Sequence, residues 1–509
     1  MKHKSTLIKS TFIIMLVTLV SRLLGLVREL LIGKGFGAGV YTDAYNIAVP
    51  IPETIFALVG LAISTAFLPT LSKIKAKKGK EEMYAFANNV ISILLVVSII
   101  IFIISSFFAK EIVYSFKPSE ATATIAIGLL KITLLNILFL SINACFTALL
   151  QVNEDFVIPS ILGLFFNLPM ILYLLLCKNY DILGLTIANV LGNFFRVAVQ
   201  VPSLITHGYK YRFCINLKDE RLKAIIILII PVVIGAGANS LNMLVDKYMA
   251  FGLHQDGAVS ELEYAQKLIV FINTIIVTSV NSIVYPLMAN MQSNEDKAGF
   301  VDILKKSIVY LAILLIPITI GIIIYNKEII SLAYERGAFD AKVVEATSPA
   351  LFGYGFGVFF TGMRDILNST LFTMGKTKVT TINGIIGVII NIIFCVILSK
   401  YMGIMGIALA SVIAMAVTAI LLFRSIVKLE KSLSIKGIVK KIGLITINSL
   451  IMGLIIITLV VYLKNKLSSL TLLLLGVIVG SIVYFILCYL FRIEEVIEIK
   501  DFILKKINR

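Results

Sequence analysis

In the stretch SRLLGLVREL, residues 21–30, three charged side chains interrupt an apolar run: Arg22, Arg28 and Glu29. On a helix that turns about 100° per residue, Arg22 and Glu29 share one face, while Arg28 points roughly 120° away from Arg22. No single external partner can neutralise all three. An ionisable side chain at the centre of a lipid-embedded helix costs about 2.5–3.5 kcal/mol. Cations kept there are expected to face a wet cavity and to hold an anion. Lys267, further along the chain and without an evident sequence-local acid, adds another cation, and Asp43 provides a polar approach. Guanidinium groups match phosphate oxygens through paired N–H donors, so the chemistry expected of this set is the binding of a phosphate-like anion.

The other intramembrane ionisable residues read differently. Glu53, Arg196 and Lys247 suit structural pairing or snorkelling toward a helix end. Arg364 and Asp365 are neighbours about 100° apart and are expected to find separate partners. Nothing suggests bond-making chemistry on the anion: the chain has no Walker motif, no His–Glu metal pattern and no nucleophile elbow. Cys145, Cys177, Cys214, Cys395 and Cys488 are widely spaced with no Cys-x-x-Cys, so neither a disulfide framework nor a zinc site is expected. His3, His207 and His254 are too scattered for a metal centre. The expectation is a carrier that moves its ligand unchanged, with no catalytic residue and no cofactor.

The elements that must position these residues follow from composition. Of 509 residues, 59% are hydrophobic and 15% charged, far from the one-quarter charged share of a soluble domain. Apolar runs long enough to cross roughly 30 Å of hydrocarbon recur throughout. They predict fourteen spans, at 8–33, 42–72, 84–108, 121–150, 157–177, 183–205, 224–252, 259–292, 301–325, 346–373, 379–399, 402–423, 442–463 and 469–491. Helices satisfy their own backbone in lipid, and barrel-type alternation is absent, so the expected fold is an all-α polytopic membrane protein. Lys2, Lys4 and Lys9 precede the first run as in a secretory leader, but no small-residue cleavage site follows, and the helix is expected to be retained.

The net charge of +17 could suggest nucleic acid, but its distribution does not. Most of the 46 Lys and Arg residues fall in alternate short loops. The positive-inside bias then places both termini in the cytoplasm. The richest inside loop, with Arg424, Lys428, Lys431, Lys436, Lys440 and Lys441, fits attraction to an anionic leaflet.

The chain also resembles itself. ILGLTIANV (182–190) matches IMGIALASV (404–412), placing Gly184 over Gly406 and Ala188 over Ala410. The same offset lays Val157 over Val379, and nearby FLPTLS (67–72) matches VYPLMA (284–289), with Pro69 over Pro286. Two six-helix lobes in parallel repeat are expected at 1–215 and 216–428, with two further helices in 429–509. Duplicated halves with a binding site suit alternating access.

At this point a family resemblance enters. SRLLGLVREL, then FGAG (36–39), TDAYNIA (42–48) and AFLP (66–69), resembles the opening of the MurJ (MviN) family of lipid II flippases; YERGAFDA (334–341) resembles its outside loop before span ten. The wider superfamily includes polysaccharide-repeat flippases and drug exporters. The resemblance implies a two-lobed flippase of peptidoglycan biosynthesis in the bacterial cytoplasmic membrane. Its substrate would be undecaprenyl-pyrophosphate-linked disaccharide-pentapeptide, moved from the inner to the outer leaflet. It implies diphosphate binding by Arg22, Arg28 and Lys267, with Glu29 as the adjacent acid and Asp43 as the acid of the second span. Spans 13 and 14 would hold the lipid tail, and membrane lipids and cell-wall synthesis proteins would be partners. Departures exist. Lys267 stands where an arginine is usual, and Gln266 replaces an acid. A sodium site in some relatives corresponds to Asp246, Asn391 and Ser411, but Cys395 occupies an expected carboxylate position, which argues against it. Sodium or the membrane potential would be the driving force.

Two other functions compete with this one. A flippase for another undecaprenyl-pyrophosphate-linked glycan, such as a capsule or teichoic precursor, needs the same diphosphate recognition. A cation-coupled drug exporter would prefer an acidic cavity, whereas the residues here are mainly Arg and Lys.

Overall fold

The computed structural model describes residues 2–223, 244–463, 466–498 and 500. The greater part of the expected seventh span, 224–252, lies outside the described residues. Every extended element among the described residues is helical, and an isolated bridge between Arg336 and Phe339 is the exception. The chain forms two compact units, Met1–Ser260 with Arg336–Phe339, and Glu261–Glu335 with Asp340–Arg509.

The first unit contains α1 (Lys2–Phe36), α2 (Val40–Ala48), α3 (Pro50–Ala62), α4 (Leu68–Phe107) and α5 (Ala109–Tyr114). It continues with α6 (Glu120–Thr133), α7 (Asn136–Val152), α8 (Val157–Leu176), α9 (Ile182–Ala198) and α10 (Val201–Thr206). The second unit holds most of α11 (Ala258–Ser293), then α12 (Lys297–Ile324), α13 (Asn326–Tyr334), α14 (Ala341–Gly355) and α15 (Val358–Thr373). It ends with α16 (Thr377–Leu429), α17 (Ile435–Leu463) and α18 (Ser469–Leu490). Nine helical stretches among the described residues are long and apolar enough to cross a membrane, and α14 with α15, bent by 45°, makes a tenth.

One difference from the sequence reading has a local cause. The second expected span is not one helix: α2 stops before Pro50, and a π-helical turn at Ile63–Phe67 separates α3 from α4. Proline lacks the N–H that would continue α2. The spans expected at 379–399 and 402–423 form the two legs of α16 on either side of a kink. The helix breaks at Gly403, where φ is 54° and ψ −134°. Left-handed φ is strained for a residue with a Cβ and routine for glycine.

The matched repeat glycines do the same job in their own units. A Cβ on Gly184 would sit 2.0 Å from the Tyr173 hydroxyl of the preceding helix, and one on Gly406 would sit 2.2 Å from the Leu398 carbonyl of the preceding leg. Each lets one leg of a hairpin press against the other. The proline match is weaker in space: Pro69 starts α4, whereas Pro286 lies inside α11.

In the first unit, a core of Phe67, Leu71, Met83, Phe86, Cys145 and Leu149 is capped by an extended segment after α10. The side chains of α4 hold that segment by its backbone. Asn88 Nδ2 donates to Lys210 O (3.2 Å), and Asn89 donates to Asn216 O (3.0 Å) and accepts from Asn216 N (2.6 Å). Ser92 Oγ accepts from Cys214 N at 3.1 Å. Arg221 closes the segment: it donates to both oxygens of Asp219 and, at 2.7 Å, to Glu82, while stacking 4.7 Å above Phe86.

The hydrogen bonds from Arg221 hold the Asp219 carboxyl below its ordinary range. A depressed folded value adds stability at neutral pH that is lost as pH falls through the carboxylate range. Asp219→Asn should therefore lower stability by up to about 1 kcal/mol at neutral pH. Thermal unfolding in detergent should show this gap closing below about pH 4; a gap equal at both pH values would refute the pairing.

Candidate functional site

Helix α1 resolves why charges sit in an apolar run. Leu16, Leu19, Val20, Leu23 and Val27 are exposed, and on the helical period they fall within an arc of roughly 100°. That stripe suits lipid. Arg22, Arg28 and Glu29 occupy the remaining arc, toward the side that packs along α8. The two helices come close where a Cβ on Gly163 would collide with Ser21 Oγ.

One turn beyond Gly163, Asn167 organises the contact. Its Nδ2 donates to Gly163 O (2.8 Å) and to Ser21 O (3.4 Å), which leaves Oδ1 to accept from Arg28 Nη1 at 2.9 Å. Arg28 Nε donates to Glu29 Oε1 at 3.1 Å, and Nη2 reaches the same oxygen. The guanidinium carbon stands 5.2 Å from the ring centre of Phe166. The side chain is 19% exposed, against 8% for Glu29. Arg28 thus finds its acid partner within the cluster itself, in the adjacent Glu29. Its long side chain folds back across the helix surface to its neighbour. Arg22 is half-buried and has no carboxylate at ion-pairing distance among the described residues.

Asp43 is almost fully buried, and the fold uses both of its oxygens. Oδ2 accepts from Gly257 N at 2.7 Å, and Oδ1 accepts from Ser260 N at 2.9 Å and from Ser260 Oγ. These N–H groups open α11, where the helix lacks internal acceptors. Asp181, Asp296 and Asp340 cap the helices that directly follow them; Asp43 caps α11 from far away in sequence. One turn along α2, Asn46 donates to Ser260 Oγ at 3.2 Å and its carbonyl accepts from Lys247 Nζ at 2.8 Å.

Two backbone segments crowd together at the end of α1. Ala338 N donates to Lys34 O at 2.9 Å. Gly37 and Gly337 both have positive φ, and a Cβ on either would lie within 2.5 Å of a carbonyl oxygen of the other segment. Gly37 of FGAG lies against Ala338 of YERGAFDA, and Gly337 of the latter lies against Lys34, just before FGAG.

In the second unit, Lys267 Nζ lies 4.0 Å from Glu263 Oε2, one turn earlier on α11. Glu263 is the local acid that the sequence reading overlooked. Arg364 and Asp365 pair with each other at 2.9 Å instead of finding separate partners; the guanidinium again reaches around the helix. Asn391 and Ser411 are buried and hydrogen-bonded at 3.3 Å, with Cys395 also buried. Asp246, the third residue of that expected set, is buried in the first unit. No group of three or more His, Cys, Asp or Glu side chains is placed to hold a metal among the described residues.

The model of the lipid II flippase MurJ family matches residues 32–478. The chain belongs to the MurJ family of lipid II flippases. It is 29% identical over 485 residues to the lipid II flippase MurJ of Thermosipho africanus, covering 95% of this chain and 96% of that protein. It is 27% identical over 435 residues to the probable lipid II flippase MurJ of Vibrio cholerae, covering 82% and 83%. Among solved structures, a lipid II flippase MurJ in an inward closed conformation matches with a TM-score of 0.81 and 28% identity, over 94% of this chain and 99% of that one. An inward-facing multidrug transporter of the MATE family shares the fold, with a TM-score of 0.72 at 14% identity over 83% of this chain and 99% of that one. As a member of the MurJ family the protein is a membrane transporter that flips lipid II for peptidoglycan synthesis, and it is not an enzyme.

The sequence reading missed Asn167, Phe166 and Ser260, the residues that hold Arg28 and Asp43. A faint signal existed for Asn167: an amide inside an apolar run, four residues after a glycine. For the cap, Asp43→Ala leaves the first N–H groups of α11 unsatisfied and should cost about 1–3 kcal/mol. Ser260→Ala removes one of three donors and should cost less. Thermal unfolding of both variants in detergent measures this, and an Asp43→Ala protein as stable as wild type would dismiss the capping role.

Proposed function

We propose that Arg28, with Arg22 and Lys267, binds the diphosphate of lipid II during alternating access. The observation that carries this is the presentation of Arg28. Asn167, Glu29 and Phe166 fix its guanidinium while part of it stays accessible. A guanidinium fixed beforehand loses less freedom when an oxyanion arrives. Glu29 acts as a placeholder that a diphosphate can outcompete, because bidentate charge-assisted bonds to phosphate are stronger than one shared carboxylate oxygen. Asp43 contributes indirectly, by fixing the start of the helix that carries Lys267.

In this reading the chain has fourteen spans. The break in α16 at Gly403 and the composite of α2, α3 and the start of α4 support spans beyond the ten simple ones. Lobes of 1–215 and 216–428 are followed by α17 and α18. Exposed Leu450, Leu454, Ile457, Leu474, Ile478 and Ile482 on these two helices suit an undecaprenyl tail. The distribution of Lys and Arg supports cytoplasmic termini in the bacterial inner membrane. Energy comes from the membrane potential or an ion gradient; Cys395 argues against sodium at Asp246, Asn391 and Ser411.

Arg28→Ala and Lys267→Ala should each abolish rescue of a flippase-depleted bacterium while reaching the membrane at wild-type levels. Reconstituted into vesicles, both should lose at least about tenfold in the rate at which labelled lipid II changes leaflet, equivalent to about 1.4 kcal/mol. Full rescue by both variants would remove the diphosphate site from these residues.

A further inference from the structure

Arg196 attracted no role beyond structural pairing or snorkelling in the sequence, yet the structure places its guanidinium carbon 3.9 Å from the ring centre of Phe166. This is the ring that Arg28 overlies at 5.2 Å. Two arginines from different helices therefore share one aromatic side chain. The cause lies in the approach of α9 to α8. A Cβ on Gly192 would fall 2.4 Å from Phe166 O, so the glycine allows near-contact of the two backbones, and Arg196 follows one turn later. Arg196 Nη1 donates to Asn193 Oδ1 at 3.1 Å, and Gln200 Nε2 donates to Arg196 O at 2.8 Å, which fixes that turn.

The charge balance of this arrangement is uneven. Arg28 is paired with Glu29, but Arg196 has no carboxylate at ion-pairing distance among the described residues. One hydrogen bond to an amide oxygen and a ring face are modest compensation for a cation in a membrane span, where such groups mark ligand paths. Like charges converging on a single ring repel each other, and an oxyanion bridging them turns that repulsion into attraction.

We propose that Arg196 is a further anion-binding residue, forming with Arg28 and the platform of Phe166 a two-arginine clamp for a diphosphate group. This rests on the reading of Arg28 as a diphosphate ligand and extends it to a helix that the sequence had not implicated. Phe166 and Asn167 are positioning residues: the first carries both guanidinium planes, and the second aims Arg28.

The test uses the full-length protein in lipid nanodiscs, with fluorescent undecaprenyl diphosphate as the probe and inorganic pyrophosphate as competitor. Arg196→Gln should weaken probe binding at least tenfold, and Arg196→Lys less, because it keeps charge but loses the planar fork. Both should leave the unfolding temperature of the unliganded protein near that of wild type. With Arg28→Gln, the double variant should lose less than the product of the single losses, since either change opens the clamp. Competition by pyrophosphate in the wild type alone would support a clamp that reads the free anion. Competition by unlabelled lipid diphosphate alone, again lost in Arg196→Gln, would support one that reads the headgroup in its lipid. Wild-type affinity in Arg196→Gln, with binding lost in Arg28→Gln, overturns the clamp and leaves the Arg28 site standing. Wild-type affinity in both variants overturns both. If Arg196→Gln is unstable, Arg196→Lys decides, and equal affinity and salt dependence for it and wild type count against the clamp.

Discussion

A polar group in hydrocarbon must bring its own partner. That constraint governs this molecule more than any propensity does, because water is not there to complete an unfinished bond. It explains why the described chain is helical, and equally why the polar residues inside it form small closed groups. Asn167 shows the principle at its fullest. Its amide nitrogen ties two helices by their carbonyls and its amide oxygen receives Arg28. Remove it and three separate groups lose a partner at once.

The same constraint separates charges that are complete from charges that are not. Asp43 accepts three hydrogen bonds and is finished as a structural element. Arg364 and Asp365 satisfy each other. Arg28 is held but accessible, and Arg196 leans on a ring and an amide. In a membrane transporter the incompletely served cation is the informative one, since its remaining capacity is available to something that comes and goes.

Much of this was legible in sequence. The apolar runs located most helices, and the cost of Arg22 and Arg28 in such a run marked them, without any coordinates, as groups in need of partners. What could not be read were contacts set by close backbone approach. Gly163 and Gly192 are unremarkable letters until the helices are assembled, yet they decide which side chains meet at Phe166. Side-chain reach also misled. Adjacent residues diverge at Cβ, but a guanidinium is long enough to cancel that divergence, as Arg28 with Glu29 and Arg364 with Asp365 both do.

The segment after α10 is gripped in two ways: Asn88, Asn89 and Ser92 hold its main chain, while Tyr209 packs against Tyr84 and Phe146 and donates to Asn88 Oδ1, and the Tyr211 hydroxyl meets Ser92 Oγ. Backbone carbonyls and, proline aside, amides are common to every residue type, so apart from its two tyrosines this stretch is free to drift in its letters but not in its spacing. Across relatives its other positions should therefore vary widely in identity while tolerating few insertions or deletions, and the two tyrosines and the anchoring side chains on α4 should change far less.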